Sequence, residues 1–187
     1  MASRLQQLGE IEEAIWGELE ACVEPRPAGH PPHEWRVAVL ATVDEGHPDA
    51  RNIVLREAES RERRLVFYTD ARSPKVRQIE ASPQGTLIFW SPTLAWQLRM
   101  QVLLAVQTSG LAVSSRWARL QTTAGAADYL AARAPGSSLD APLADLGTRS
   151  HFAMITALVE AIDWLELDAG GHRRAQFGAG GPKWLQP

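Results

Sequence analysis

The chain has 187 residues, with 19 Lys plus Arg against 22 Asp plus Glu, a formal net charge of −3 and 45% hydrophobic residues. This is the composition of an ordinary globular protein, and it argues against a disordered tail, a collagen or a polybasic nucleic-acid binder, so no nucleic acid is expected as a partner. Cys22 is the only cysteine, which excludes an intrachain disulfide and a four-thiolate zinc site and makes a reducing, cytoplasmic compartment the expected one.

Residues 3–22 place Leu5, Leu8, Ile11, Ile15, Leu19 and Cys22 at spacings of three and four, the pattern of an amphipathic helix packed on a domain. Acidic residues interrupt its apolar stretches, so it does not read as a secretory signal, and no apolar run in the chain is long enough to predict a membrane span. The segment EPRPAGHPPHE that follows is too rich in proline to stay helical and reads as a linker over residues 25–34. From Trp35 the pattern changes to short runs rich in Val, Leu, Ile and aromatics: WRVAVLATV, ARNIVLR, RLVFYT, TLIFW and WQLRMQVLLAVQTSG. Bounded by turn signals such as DEGHPD and SPQG, they predict an antiparallel sheet. Between the third and fourth runs, SPKVRQIEAS reads as a short helix with Ser73 as its N-cap and Pro74 in its first position. After Gly110, the pieces SSRWARLQ, AADYLAAR and PLADLG read as helical. HFAMITALVEAIDWLEL fits a buried helix or two strands, and its β-branched residues favour strands. HRRAQFG is a further strand, and GAGGPKWLQP closes the chain. The expected architecture is one domain over residues 1–187: a helix (1–24), the linker, then a small antiparallel β-barrel with helical excursions (35–187), mainly β with peripheral helices.

Several nucleotide and metal motifs are missing. GAGG at residues 178–181 lacks the dinucleotide-binding spacing, there is no phosphate loop of the G-x-x-x-x-G-K type, and His30 and His33 in the linker do not make a metal site. Three features remain. In RNIVLR, strand periodicity puts Arg51, Ile53 and Leu55 on one face and Asn52, Val54 and Arg56 on the other. Arginine suits an anionic oxygen because its planar fork donates paired, charge-assisted hydrogen bonds. In YTDARSPK a strand ends and a capped helix begins, and Lys75 adds positive charge where free backbone amides already attract an anion. Near the end lie Trp164, which by itself reads more readily as core than as a ligand platform, and the group His172, Arg173 and Arg174.

Taken in order, these pieces resemble the pyridoxamine 5′-phosphate oxidase-like FMN-binding split-barrel family. The residues that carry the resemblance are Arg51 to Arg56, Tyr68-Thr69 with Ser73-Pro74-Lys75, Gln97, Trp164, His172-Arg173-Arg174, and Trp184 with Leu185-Gln186-Pro187. The match is good over residues 35–110, fair over 150–187 and poor between. The resemblance implies an antiparallel split barrel that binds FMN as a homodimer, with the flavin at the subunit interface. Arg51, Ser73 and Lys75 would hold the ribityl phosphate. Asn52, Ile53, Val54, Leu55, Arg56, Tyr68 and Thr69 would line the flavin, Gln97 would bond its ring, and Trp164 and Arg174 would complete the site.

The implied activity is oxidoreduction: hydride transfer from a small-molecule substrate to the flavin, with O2 as acceptor in the family's oxidases. Arg56 and His172 fall at substrate-side, catalytic positions, and Arg116 at a further substrate-phosphate position. Other positions depart from the oxidases. A substrate arginine is replaced by Gly170, an arginine after the capping serine by Pro74, and a Tyr and a Ser by Ala112 and Leu120. Each lost charged hydrogen bond to one phosphate is worth roughly 1.5–3 kcal/mol, so FMN binding is the stronger expectation and B6 phosphate oxidation the weaker. The alternatives are a split-barrel reductase using NAD(P)H or a deazaflavin, and a barrel that binds haem or flavin without turnover.

Overall fold

The computed structural model describes residues 4–27, 29–139, 147 and 150–187. An N-terminal helix, α1 (Leu8–Ala21), precedes five strands and one helix in the order β1 (Val37–Asp44), β2 (His47–Glu59), β3 (Arg64–Asp70), α2 (Pro74–Ala81), β4 (Gln84–Ser91) and β5 (Trp96–Gln107). Then come α3 (Leu111–Leu120), a 3-10 turn at Ala124–Tyr129, β6 (Phe152–Glu166), β7 (Arg173–Gly178) and β8 (Lys183–Leu185). The strands form one antiparallel sheet in the order β3-β2-β1-β4-β5-β6-β7-β8, and β3 also pairs with β6. That extra pairing closes β1 to β6 into a ring, and β7 and β8 extend the sheet beyond it. Closure removes free strand edges. The fold is therefore mixed, a ring-like antiparallel sheet with peripheral helices.

Alternation along the strands explains which side chains fill the ring. Leu40, Leu55, Phe67, Leu87, Phe89, Leu98, Met100, Ile155, Ile162 and Trp164 all point inward and are inaccessible to solvent. The apolar stripe of α1 joins them through Ile11, Ile15, Trp16 and Leu19. The start of this helix is tied down by a buried carboxylate. Glu166 accepts hydrogen bonds from Arg4 (Nε, 2.7 Å), Arg173 (Nε, 2.7 Å) and Trp96 (Nε1, 3.3 Å), while Arg173 also donates to the Leu5 carbonyl. α2 packs on β1 and β5. A second, smaller cluster lies outside the ring, where Val113 of α3 and Tyr129 of the 3-10 turn cover Val66, Phe152 and Met154. No helix among the described residues is long and apolar enough to cross a membrane.

The structure corrects several expected elements. The first helix begins at Leu8 rather than residue 3, with Gln7 as its N-cap and Glu10 reaching back in a capping box. The expected linker ends in a 3-10 turn at Glu34–Arg36, so β1 starts at Val37 rather than Trp35. The run 152–166 is one long strand instead of two, because β3 and β5 flank it and β7 takes over as β3 ends. α3 starts earlier than SSRWARLQ, and AADYLAAR keeps only the short 3-10 turn. Of the expected helical piece PLADLG, residues 142–146 lie outside the described residues. The closing GAGGPKWLQP contains the short strand β8.

Candidate functional site

β2 and β3 pair only from Leu55–Phe67 to Glu59–Arg64, with a register shift between Leu55 and Glu57. Beyond Leu55 the two strands part: residues 47–54 of β2 pair only with β1, and residues 68–70 of β3 pair only with β6. The parting leaves a seam whose facing backbone groups have no ladder partner, and unpaired polar backbone seeks a ligand or water. Its walls are residues 51–54 and Tyr68-Thr69.

At one end of the seam two cations converge. Arg51 is held by Thr42 Oγ1 (2.6 Å), Gln78 Oε1 (2.7 Å), the Leu40 carbonyl (3.3 Å) and the Asp49 carboxylate. Gln78, buried on α2, accepts from the Thr42 hydroxyl (2.7 Å) and donates to Asp49 (2.8 Å), so one side chain fixes both partners of Arg51. Beside Arg51, Lys75 Nζ donates to Ser73 Oγ (2.6 Å) and Thr69 Oγ1 (3.3 Å). Among the described residues Lys75 forms no ion pair. Burial, reinforced by the Arg51 charge, holds its ammonium below the ordinary lysine range. Ser73 is the N-cap of α2 and Pro74 follows it, but the Ser73 hydroxyl makes no capping bond and is turned to Lys75. A half-buried ammonium and a guanidinium beside an uncapped helix start form a site whose missing component is an anion. A phosphate would supply it.

At the other end the register shift decides the chemistry. A bulge puts two successive residues on the same side of a strand, and here Arg56 and Glu57 both reach Tyr68. The Arg56 guanidinium lies over the Tyr68 ring at 5.5 Å from its centroid. The Tyr68 hydroxyl donates to Glu57 Oε1 (3.1 Å), which also accepts from Arg116 Nε (2.6 Å). Burial and the Glu57 carboxylate push the Tyr68 phenol up to about 12. The Arg116 hydrogen bond holds Glu57 below the usual carboxylate range, against the opposing effect of burial.

The remaining expected residues lie elsewhere. Gln97 is on the outer face of β5, opposite Trp90 and Leu165. Arg174, on β7, is paired with Asp163 (2.6 Å), which also binds Arg99. Arg99 and Asp163 line a cleft of about 180 Å³ with Thr86, Gln101 and Gln176. Through the β3–β6 pairing β7 lies three strands from β2, and within one chain Arg174 and Gln97 have Asp163, Trp90 and Leu165 as neighbours rather than Arg51 or Lys75. His172 and Gly170 are exposed on the loop before β7.

Three expected flavin contacts need correction at the level of the side chain. Trp164 is inaccessible inside the ring, edge-on to Trp96 at 5.4 Å, and serves as core. Ile53 and Leu55 also point inward, so only their backbone reaches the seam. Conversely, Thr42, Asp49, Gln78 and Glu57 hold the side chains at the two ends of the seam, and none of them was singled out by sequence. Their roles depend on cross-strand and helix contacts that no local pattern encodes. The excess of basic residues over positions 51–77, eight against four acidic ones, marks the stretch that holds Arg51 and Lys75 but not these partners.

Comparison with known proteins agrees with this geometry. The sequence profile described as "Pyridoxamine 5′-phosphate oxidase, FMN-binding domain" matches residues 15–107, which contain both walls of the seam, α2 and the two cations. By this match residues 15–107 belong to the pyridoxamine 5′-phosphate oxidase-like FMN-binding split-barrel family. Among curated relatives, a pyridoxine/pyridoxamine 5′-phosphate oxidase of Legionella pneumophila is 41% identical over 64 residues, 34% of this chain and 29% of that protein. One of Anaeromyxobacter dehalogenans is 35% identical over 77 residues, 41% and 38% of the two chains. The chain thus matches only about a third of the length of these relatives. Among solved structures, an FMN-binding protein of Nostoc punctiforme, described as pyridoxamine 5′-phosphate oxidase-related, superposes with a TM-score of 0.71 at 21% identity, covering 99% of this chain and 100% of the other. PhzG of Burkholderia lata superposes equally well, at 0.71 and 14% identity over 100% and 95% of the chains. At these identities the two structures share the split-barrel fold with this chain.

Proposed function

We propose that the protein is an FMN-dependent oxidoreductase that works as a homodimer, with the flavin seated in the seam between β2 and β3. The observation that carries this reading is the convergence of Arg51 with Lys75, a half-buried ammonium with no ion-pair partner among the described residues, at the uncapped start of α2. When bound, FMN supplies a two-electron acceptor for hydride. Arg51 and Lys75 bind its phosphate, with Ser73 and Thr69 holding the lysine and Gln78 holding the arginine. The unpaired backbone of residues 52–54 offers donors and acceptors to the ring edge, and Tyr68 and Arg56 mark the substrate end.

Two observations favour the dimer. The outer face of the sheet exposes Val37, Val43, Trp90 and Leu103, an apolar surface of the kind that subunit interfaces cover. The same face carries Gln97, Arg99 and Arg174, which a symmetry mate can bring to a seam that their own chain leaves distant. His172 becomes a substrate-side residue by the same route.

Purified protein is expected to be yellow or to take up added FMN with quenching of flavin fluorescence, and to elute as a dimer in light-scattering chromatography. A colourless monomer that ignores FMN contradicts the proposal. Anaerobic reduction of the bound flavin by NAD(P)H would move the reading from oxidase to reductase.

A further inference from the structure

Around Tyr68 the arginines 36, 56 and 116 gather beside the Glu57 carboxylate. Arg116 is consumed by that carboxylate, since its Nε and Nη2 both bind Glu57. Arg56 neighbours the Tyr129 hydroxyl but is held by no carboxylate among the described residues. Its Nε is buried without a hydrogen-bond partner, and among the described residues neither Arg56 nor Arg36 forms an ion pair. Val37 pairs with Val54, which brings Arg36 alongside the Leu55–Arg56 end of β2. The two guanidinium charges lie close enough that Arg56, together with burial, depresses the basicity of Arg36. Arg56 is also five residues from Arg51, about 16 Å along an extended strand, so a phosphate held by Arg51 and Lys75 does not reach it.

We propose that the Arg36–Arg56 end of the seam is a subsite for the single negative charge of a carboxylate on a planar substrate, and that Glu57 sets this selectivity by taking Arg116 away from anion recognition. The inference deepens the flavoprotein reading and rests on it for the placing of the seam. A guanidinium fork matches a carboxylate with two parallel hydrogen bonds, and the free Arg56 donor and Arg36 suffice to neutralise one charge. A phosphate ester carries close to two charges at neutral pH and seeks more donors than remain. It also meets the Glu57 carboxylate with about twice the repulsion that a monoanion meets.

Benzoate and phenyl phosphate form a matched pair of planar probes, titrated calorimetrically into the FMN-saturated chain. They are also titrated into flavin-free Lys75→Met protein, in which the Arg51 end no longer competes for phosphate. The wild-type site is expected to bind benzoate about tenfold more tightly than phenyl phosphate. Glu57→Gln, which frees Arg116, is expected to shift that ratio about tenfold toward phenyl phosphate, and Arg36→Gln to weaken benzoate with FMN affinity unchanged. A wild-type preference for phenyl phosphate, an unchanged ratio in folded Glu57→Gln, or no saturable binding of either probe overturns the proposal. The wild-type ratio stands even where a variant fails to fold. Flavin fluorescence recorded in parallel separates the two readings: selectivity lost with FMN still bound overturns this inference alone, whereas failure to bind FMN overturns the flavoprotein reading.

Discussion

Lys75 shows how a residue that burdens the fold can serve the site. Its ammonium is half-buried beside Arg51, and the depressed basicity means that the folded state holds this proton less firmly than the unfolded chain does. In the pH window between the lowered folded value and the ordinary lysine value of 10.5, the unfolded chain binds more protons. Stability of the flavin-free protein therefore rises with pH through that window. FMN affinity is expected to run the other way, falling as Lys75 loses its charge. Lys75→Met is accordingly expected to stabilise the flavin-free protein by about 1 kcal/mol, a melting shift of roughly 2–4 °C for a chain of this size, while losing most FMN affinity. Differential scanning calorimetry paired with a flavin titration checks both halves. Trp164 makes the opposite case. Because it fills the ring and touches no part of the seam, Trp164→Ala should cost about 3–5 kcal/mol of stability. The milder Trp164→Phe should lower the melting temperature and leave the flavin spectrum and affinity unchanged. A spectral shift in that variant would place Trp164 against the ligand.

Among the elements, the strands were legible because β-branched and aromatic runs broken by Gly, Pro and Asp carry their own signal. Arg51 and Arg56 were assigned to opposite faces by period-two alternation alone, as the burial of Ile53 and Leu55 shows. What alternation could not carry was the shift between Leu55 and Glu57, which adds Glu57 to the side that Arg56 occupies and parts β2 from β3. β6 was ambiguous for a related reason: a run of 15 residues exceeds the usual strand length, and only two flanking partners make it one strand. Trp164 sits at a sequence position where the family resemblance implied ligand contact, yet its burial follows from the inward register of β6. The buried Glu166 was invisible because its partners come from Arg4 and Arg173 at opposite ends of the chain. Burial raises the Glu166 carboxyl, but hydrogen bonds from Arg173, Arg4 and Trp96 outweigh this and leave it below 4.5. A depressed carboxyl contributes stability that is present above its unfolded value and is lost as pH falls through the folded one. Glu166→Gln should therefore destabilise the fold by about 3 kcal/mol near neutral pH, with a difference that shrinks on acidification below about pH 4. Hydrogen exchange should show α1 opening first. Equal destabilisation at every pH would contradict the ionic account.

On the scale of the whole molecule, one closed ring does several jobs. Its interior supplies stability, its parted strands supply the seam, and its outer face carries the exposed apolar residues, Gln97, Arg99 and Arg174 on which the proposed dimer rests. If the dimer completes the site, mixing equal amounts of Arg51→Ala and Arg174→Ala chains should restore FMN binding to about a quarter of the sites, through mixed dimers that each hold one intact seam. Restoration absent from mixed dimers would show that each chain binds alone. The central claim, that positive charge at the seam grips a phosphate, is tested most directly by comparing FMN with riboflavin, which differ only in that group. The wild-type chain should bind FMN at least about a hundredfold more tightly, as two charge-assisted contacts of roughly 1.5–3 kcal/mol each require. In Arg51→Ala and Lys75→Met the ratio should fall by about tenfold or more each, with riboflavin affinity nearly constant. Equal affinity for the two flavins in the wild-type chain, or a ratio that neither substitution moves, would contradict the account.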